Sequence, residues 1–295
     1  MDQPNGEGSA VWFVTGAGRG LGRAVVEAAL AAGDRVVAGA RRPEVLAALA
    51  GAWPGQLLVV HHDVRDRSAA FAAVDAAIAG FGRLDVVVNN AGYGLVGTIE
   101  EVSAAAAEDI VATDLLGALW TTQAALPHLR GQGSGHIVQI STVGGVGTMP
   151  ALGLYNAAKW ALEGFSEALA AEVTGFGIRV TIAELGGFDT DWGGSSMRFA
   201  DPLPAYDELR VAVFGSAEVP WPTADDESPG RADGADAEPP PSVAAAAILA
   251  HVRAADGPLR LLVGDDAPVH VAGALDLRRA DYARDPRFTW PNQPG

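Results

Sequence analysis

Tyr155 and Lys159 stand four residues apart in the stretch YNAAK. On a helix that spacing puts both side chains on one face. A phenol is a poor acid near neutrality, with a reference pKa of about 10. A lysine ammonium beside it favours the phenolate and lowers that value. Such a pair can give a proton to an oxygen that is gaining charge, or take one from an alcohol. The spacing alone is common, because an exposed lysine next to a half-buried tyrosine produces it too. Its meaning depends on what precedes it.

Upstream, the apolar run 10–14 breaks at Thr15 into four glycines, Gly16, Gly18, Gly20 and Gly22. From Leu21 the apolar positions Leu21, Val25, Ala28, Ala29 and Ala32 follow a helical period. A strand, a glycine turn and a helix start make an anion cradle. The backbone can approach a phosphate closely, and the free N–H groups and positive end of the helix dipole face it. An ordinary tight strand-to-helix turn is the plainer reading. The position after a strand near the start of an alternating α/β chain favours a dinucleotide.

These groups must be positioned by alternating elements. Further strands are expected at 35–40, 56–60, 84–88, 136–140, 178–183 and 259–263. Helices are expected at 68–81, from Ser103 to a stop at Pro127, from Tyr155 to about residue 172, and in a last segment capped by Ser242. Alternation of this kind means parallel pairing with right-handed crossovers. The expected architecture is a doubly wound, mostly parallel, Rossmann-like sheet in three α/β/α layers, as one domain over residues 1–295. The fourth strand runs into Asn89, Asn90, Ala91 and Gly92, a compact turn whose amides can tie neighbouring strands together.

Composition narrows the partners. Apolar residues make up 49% of the 295, enough for a large core, and there is no cysteine. Disulfides, cysteine nucleophiles and thiolate metal sites are therefore excluded, and the expected location is cytoplasmic. No apolar run reaches the roughly 18 residues that span a membrane. The net charge of −16 argues against nucleic acid and anionic membranes. No metal is expected: His61 and His62 have no third ligand spaced near them.

Together, Thr15-Gly16-x-x-x-Gly20-x-Gly22, Asn89-Asn90-Ala91-Gly92 and Tyr155-x-x-x-Lys159 resemble the short-chain dehydrogenase/reductase family over roughly residues 10–190. The resemblance implies a nicotinamide dinucleotide held by Gly16, Gly20, Leu21 and Gly22, and flanked by Asn90, Ala91 and Gly92. It implies Asp63, beside Val64, at the adenine amino group, and Tyr155 and Lys159 on the nicotinamide side, with Lys159 on the ribose. Gly186, Phe188 and Thr190 then lie along the nicotinamide. Thr142, thirteen residues before Tyr155, takes the place of the family's serine, while Ser141 would point the other way. Asp114, in Asp114-Leu115-Leu116-Gly117, takes the place of the family's asparagine, and Leu185 that of its proline. A homodimer or homotetramer through the two long helices is also implied.

Cofactor choice turns on the end of the second strand. Where an NAD enzyme has an acidic residue on the ribose 2′-hydroxyl, this chain has Ala40, followed by Arg41 and Arg42. With Arg19 in the glycine loop, these guanidiniums suit a 2′-phosphate, which favours NADP(H) over NAD(H). After the sixth strand a substrate lid and an exposed acidic loop are expected at about 188–241. There Trp192, Met197, Phe199, Leu203, Tyr206, Phe214 and Trp221 suggest an apolar or aromatic small-molecule substrate, although any one of them can simply pack the lid. The expected activity is NADP(H)-dependent interconversion of a carbonyl and an alcohol. A cyclase, epimerase or dehydratase on the same fold, or an inactive nucleotide sensor, are the alternatives.

Overall fold

The computed structural model describes residues 9–189, 196–220 and 238–289. Thr190, Trp192, Trp221 and most of the expected acidic loop lie outside them. The strands are β1 (Val11–Thr15), β2 (Arg35–Ala40), β3 (Leu57–His61), β4 (Val86–Asn89), β5 (Leu95–Val96), β6 (Gly135–Thr142), β7 (Ile178–Leu185), β8 (Arg198–Phe199) and β9 (Arg260–Val263). The helices are α1 (Gly20–Ala31), α2 (Ala47–Ala52), α3 (Arg67–Phe81), α4 (Ala104–Val111), α5 (Gly117–Gln132), α6 (Gly153–Val173), α7 (Asp207–Phe214), α8 (Pro241–Arg253) and α9 (Ala267–Tyr282).

Seven strands form one sheet in the order β3-β2-β1-β4-β6-β7-β9, each pair parallel. Winding runs outward from β1 in one direction and from β4 in the other, so the chain reverses between these two strands. In open α/β sheets the crevice at the carboxyl ends beside such a reversal is where ligands bind. The central strands β1 and β4 are mostly apolar, because helices cover both faces, while β6 also buries His136, Gln139 and Ser141. Val11 and Phe13 pack on one side with α3, α5 and α6; Trp12 and Val14 pack on the other with α1 and α8. β5 and β8 pair separately, Leu95 with Arg198 and Val96 with Phe199.

The structure adds β5, β8, α2 and α7 to the expected elements and departs from them in three further places. The helix capped by Ser103 does not run straight to Pro127. It ends at Val111, passes through one wide π turn (Ala112–Leu116) and continues as α5 beyond Pro127 to Gly133, whose φ of 69° closes it. Pro127 is tolerated because Gln123, whose carbonyl loses its helical donor, is exposed to water. The last expected helix begins at Pro241, behind Pro240, without a Ser242 cap. A further helix, α9, occupies residues that show no clear period in the sequence.

One core feature carries a pH prediction. His62 is 2% exposed, its ring centre lies 5.5 Å from that of Phe13, and among the described residues neither ring nitrogen has a hydrogen-bond partner. Burial drives its pKa down from 6.5 to about 4. Because the folded value lies below the unfolded one, the unfolded chain binds more protons in that window. Stability is thus lost as pH falls from 6.5 towards 4. His62→Leu is expected to gain on the wild type across that range, by at most about 3 kcal/mol at the acid end. Urea unfolding of both proteins at pH 7 and pH 4.5 measures it, and an equal difference at the two pH values would contradict the assignment.

Candidate active site

The candidate residues gather at the carboxyl edge of the sheet. Gly16 follows β1, Arg41 follows β2, Asp63 lies just beyond β3, Asn90 follows β4, Thr142 ends β6 and Gly186 follows β7. The Asn90-Ala91 turn is pinned to the glycine loop. Asn90 N–H and Ala91 N–H both donate to Thr15 Oγ1 at 3.0 Å, and Asn90 Nδ2 donates to Thr15 O at 2.9 Å. Gly16 has φ of 65°, and a Cβ there would come within 2.9 Å of Ala91 Cα. Only glycine lets the two turns touch. The N-terminus of α1 has no side-chain cap and no acidic residue in its first turn. Its free N–H groups and positive end fit a pyrophosphate. Leu21 and Gly22 lie in that first turn, and Val64 is buried beside Gly117.

Arg41, Arg42 and Arg19 are exposed around Ala40 and the glycine loop. Arg41 is close enough to help hold Asp63 in its charged form. The main cause, however, is the side chain of Arg65, which takes Asp63 down to about 2. Arg65 donates to both carboxylate oxygens of Asp63, at 3.1 and 2.6 Å, so the expected adenine contact is already in an ion pair. Arg65 also reaches Asp109 at 2.7 Å, and Asp109 accepts from Arg198 at 2.5 Å and from the Tyr93 hydroxyl at 2.8 Å. The Arg198 guanidinium lies 4.3 Å from the centre of the Tyr93 ring. A chain of charges thus runs from the β3 end to β8, at the root of the expected lid.

Tyr155, Lys159 and Glu163 share the inner face of α6, and all three are buried. Lys159 Nζ donates to Ile140 O at 3.1 Å and lies 3.5 Å from Asp114 Oδ2. Asp114 is 2% exposed and hangs from the π turn, and its Oδ1 accepts from Tyr93 N–H at 3.1 Å. Burial raises its carboxyl to about 6, against the pull of the Lys159 charge. Gly92 makes room for the pair: a Cβ there would stand 2.8 Å from Asp114 Oδ2 and 3.3 Å from Lys159 Nζ. The π turn therefore aims a carboxylate at the lysine that a regular helix in this register would not.

Thr142 points into the cleft. Its hydroxyl donates to Leu185 O at 3.1 Å and stands beside the Tyr155 phenol. Ser141 points the other way, donating to Glu163 at 2.7 Å, as strand alternation requires. One expectation is reversed. The Lys159 ammonium, 5.8 Å from the ring centre, is turned to Ile140 O and Asp114 rather than to the phenol. Burial first, and then the Asp114 charge, push the phenol up, while the neighbouring Thr142 hydroxyl opposes them. Gly186, which follows β7, and Phe188, 9% exposed, border the site. Of the apolar lid residues, Phe199 lies on β8, while the Tyr206 hydroxyl is held away by Glu100 at 2.6 Å.

Several contributors escape sequence reading. Glu163 repeats the spacing of Tyr155 and Lys159, a signal that was present. Tyr93 and Asp109 carry none, since their roles depend on α4 folding back over the Asn90 turn. Among the described residues no group of three or more His, Cys, Asp or Glu could hold a metal, and no helix is long and apolar enough to cross a membrane.

The sequence profile described as short chain dehydrogenase matches residues 10–199. Oxidoreductase BOA17 of Botryotinia fuckeliana is 40% identical over 271 residues, 92% of this chain and 94% of that protein. The crystal structure of a short-chain dehydrogenase from Streptomyces avermitilis is 38% identical, covers 95% of this chain and 96% of its own, and has a TM-score of 0.81. A 3-ketoacyl-(acyl-carrier-protein) reductase from Brucella melitensis, complexed with NADH, is 30% identical, covers 61% of this chain and 77% of its own, and has a TM-score of 0.59.

Proposed function

The chain belongs to the short-chain dehydrogenase/reductase family, and on that premise we propose that it is an NADP(H)-dependent oxidoreductase interconverting a carbonyl and an alcohol on an apolar or aromatic substrate. The observation that carries the reading is the meeting of Tyr155, Thr142, Lys159 and Asp114 at the carboxyl edge, beside a glycine loop that fits a pyrophosphate. The bound nicotinamide dinucleotide supplies or accepts the hydride. Tyr155 gives its proton to the carbonyl oxygen in reduction and takes it from the alcohol in oxidation. Thr142, beside that phenol, orients the same oxygen. Lys159, fixed by Ile140 O, would hold the nicotinamide ribose. The Brucella reductase holds NADH, so the preference for NADP(H) rests on this chain's own Ala40, Arg41, Arg42 and Arg19. The same reading implies a homodimer or homotetramer through α5 and α6, which light scattering measures.

A panel of aliphatic and aromatic carbonyl compounds with NADPH and with NADH, followed by absorbance and by product mass, tests the activity. Reduction adds two hydrogens to the product. A product of unchanged mass would replace the redox reading with an isomerising one, and the absence of any turnover with either cofactor would contradict both.

Asp114 is expected to set the working pH. Above pH about 6 its carboxylate is charged, and that charge raises the Tyr155 phenol. Asp114→Asn removes it, so the rising limb of alcohol oxidation, which needs the phenolate, moves to lower pH by about one unit. Profiles of kcat against pH for both proteins on one alcohol measure the shift. Superimposable profiles would remove Asp114 from the proton chemistry.

A further inference from the structure

α9 lies outside residues 10–199, which carry the family motifs, yet it touches both walls of the cleft. Its inner stripe is Ala267, Val271, Ala274 and Arg278, the buried or half-buried positions of an otherwise exposed helix. At its start Asp266 occupies the N-cap; its side chain accepts no capping N–H from the first turn, although its Oδ2 lies 3.3 Å from His270 Nδ1 one turn on. The same oxygen accepts from Gly187 N–H at 3.1 Å, and Gly186 N–H donates to Val263 O at 2.9 Å. The turn after β7, where the nicotinamide is expected, is thereby tied to the start of α9.

The other end reaches the segment between Thr142 and Tyr155. Arg278 donates to Val146 O, and its guanidinium lies 4.5 Å from the centre of the Trp160 ring. Trp160 Nε1 donates to Gly147 O at 2.9 Å. Ala274 packs over Gly147, where a Cβ would come within 3.2 Å of it. Two consecutive carbonyls are thus held by a stacked Arg278–Trp160 pair. Segment 143–150 contains Gly144, Gly145 and Gly147, so its backbone has much freedom to lose and depends on such anchors.

We propose that α9 is a strap in which Asp266 and Arg278 are positioning residues, the first for the nicotinamide-side turn at 186–187 and the second for the carbonyl-side wall at 143–150. The proposal rests on the reading of the cleft given above. It separates two effects that general loosening would join. Arg278→Ala frees the wall without touching the cofactor cradle. Asp266→Ala frees the turn without touching the wall. Arg278→Lys keeps the charge but lacks the planar fork that can lie on a ring while donating to a carbonyl.

Amide exchange by mass spectrometry, NADPH titration and steady-state kinetics on the three full-length variants test it. Arg278→Ala is expected to speed exchange at residues 144–149 and raise the carbonyl KM about tenfold, with NADPH Kd within about twofold. Arg278→Lys should recover only part of that loss. Asp266→Ala is expected to speed exchange around Gly187 and weaken NADPH about fivefold, with KM nearly unchanged. If the wild type reduces no carbonyl compound, exchange still decides whether the strap holds these segments, and only the redox reading falls. The strap is overturned by unchanged exchange in well-folded variants. It is equally overturned by faster exchange with KM and Kd unmoved, or by KM and Kd rising together in both variants in step with lost thermal stability.

Discussion

Tyr155→Phe is expected to lower kcat by about 10²–10⁴-fold while leaving NADPH affinity within a factor of about two. The split follows from where the hydroxyl sits. The ring packs among Tyr93, Leu95, Ile110 and Ala158, and phenylalanine fills the same space. The hydroxyl contributes to turnover by moving a proton, and none of the groups expected to hold the dinucleotide depends on it. Lys159→Ala should behave differently and lose both turnover and cofactor affinity, because the ammonium is assigned to the ribose as well. The same change leaves Asp114 buried without its ion-pair partner, so the carboxyl takes up a proton rather than keep an unpaired charge. Stopped-flow hydride transfer alongside a fluorescence titration separates the two variants. A phenylalanine variant retaining more than about a tenth of the wild-type kcat would move the proton transfer elsewhere.

The second large effect concerns the cofactor. Arg41→Ala is expected to cut the preference for NADPH over NADH by about 10–100-fold, since one charge-assisted contact to a phosphate contributes about 1.5–3 kcal/mol. Ala40→Asp should act from the other side. Ala40 is 5% exposed at the end of β2, against the glycine loop, where a carboxylate would accept from ribose hydroxyls and repel a phosphate. Combining the two should turn the preference towards NADH. Ratios of kcat/KM for the two cofactors measure this at fixed substrate, and at stated salt because the contact is screened. A wild type that already prefers NADH would contradict the premise.

How much of this is legible in the sequence differs by element. The glycine loop, the Asn89–Gly92 turn and the Tyr155–Lys159 pair are local patterns, and a parallel sheet places local patterns from strand ends along one edge. That is why the fold class follows from the alternating periodicity, while the meeting of these groups follows from motifs at strand ends and the family resemblance they carry. Ser141 and Thr142 sort correctly for the same reason, since alternation along a strand is a two-residue rule. The direction of the Tyr155 phenol does not follow. It depends on how deeply α6 is buried and on which way the Lys159 ammonium turns, and both are tertiary facts. The course of α5 through Pro127 depends on which helix face meets water. α9 has no strong apolar stripe because its inner line ends in an arginine, so periodicity gives no reason to draw a helix there.

The wide turn at Ala112–Leu116 is a phase shifter. A π turn is an α-helix with one residue too many, and each residue of an α-helix advances about 100°. Everything before the turn is therefore rotated against everything after it. α5 seats Thr122 and Leu129 under the sheet, while α4 seats Asp109 over Tyr93. No unbroken helix could satisfy both. Deleting a single residue such as Thr113 would be a larger insult than most substitutions nearby. It would restore a regular helix and swing Asp109, Ile110 and the Ser103 cap away together, severing the tie between the β3 end and β8 in one stroke. Length at this point is under tighter constraint than residue type.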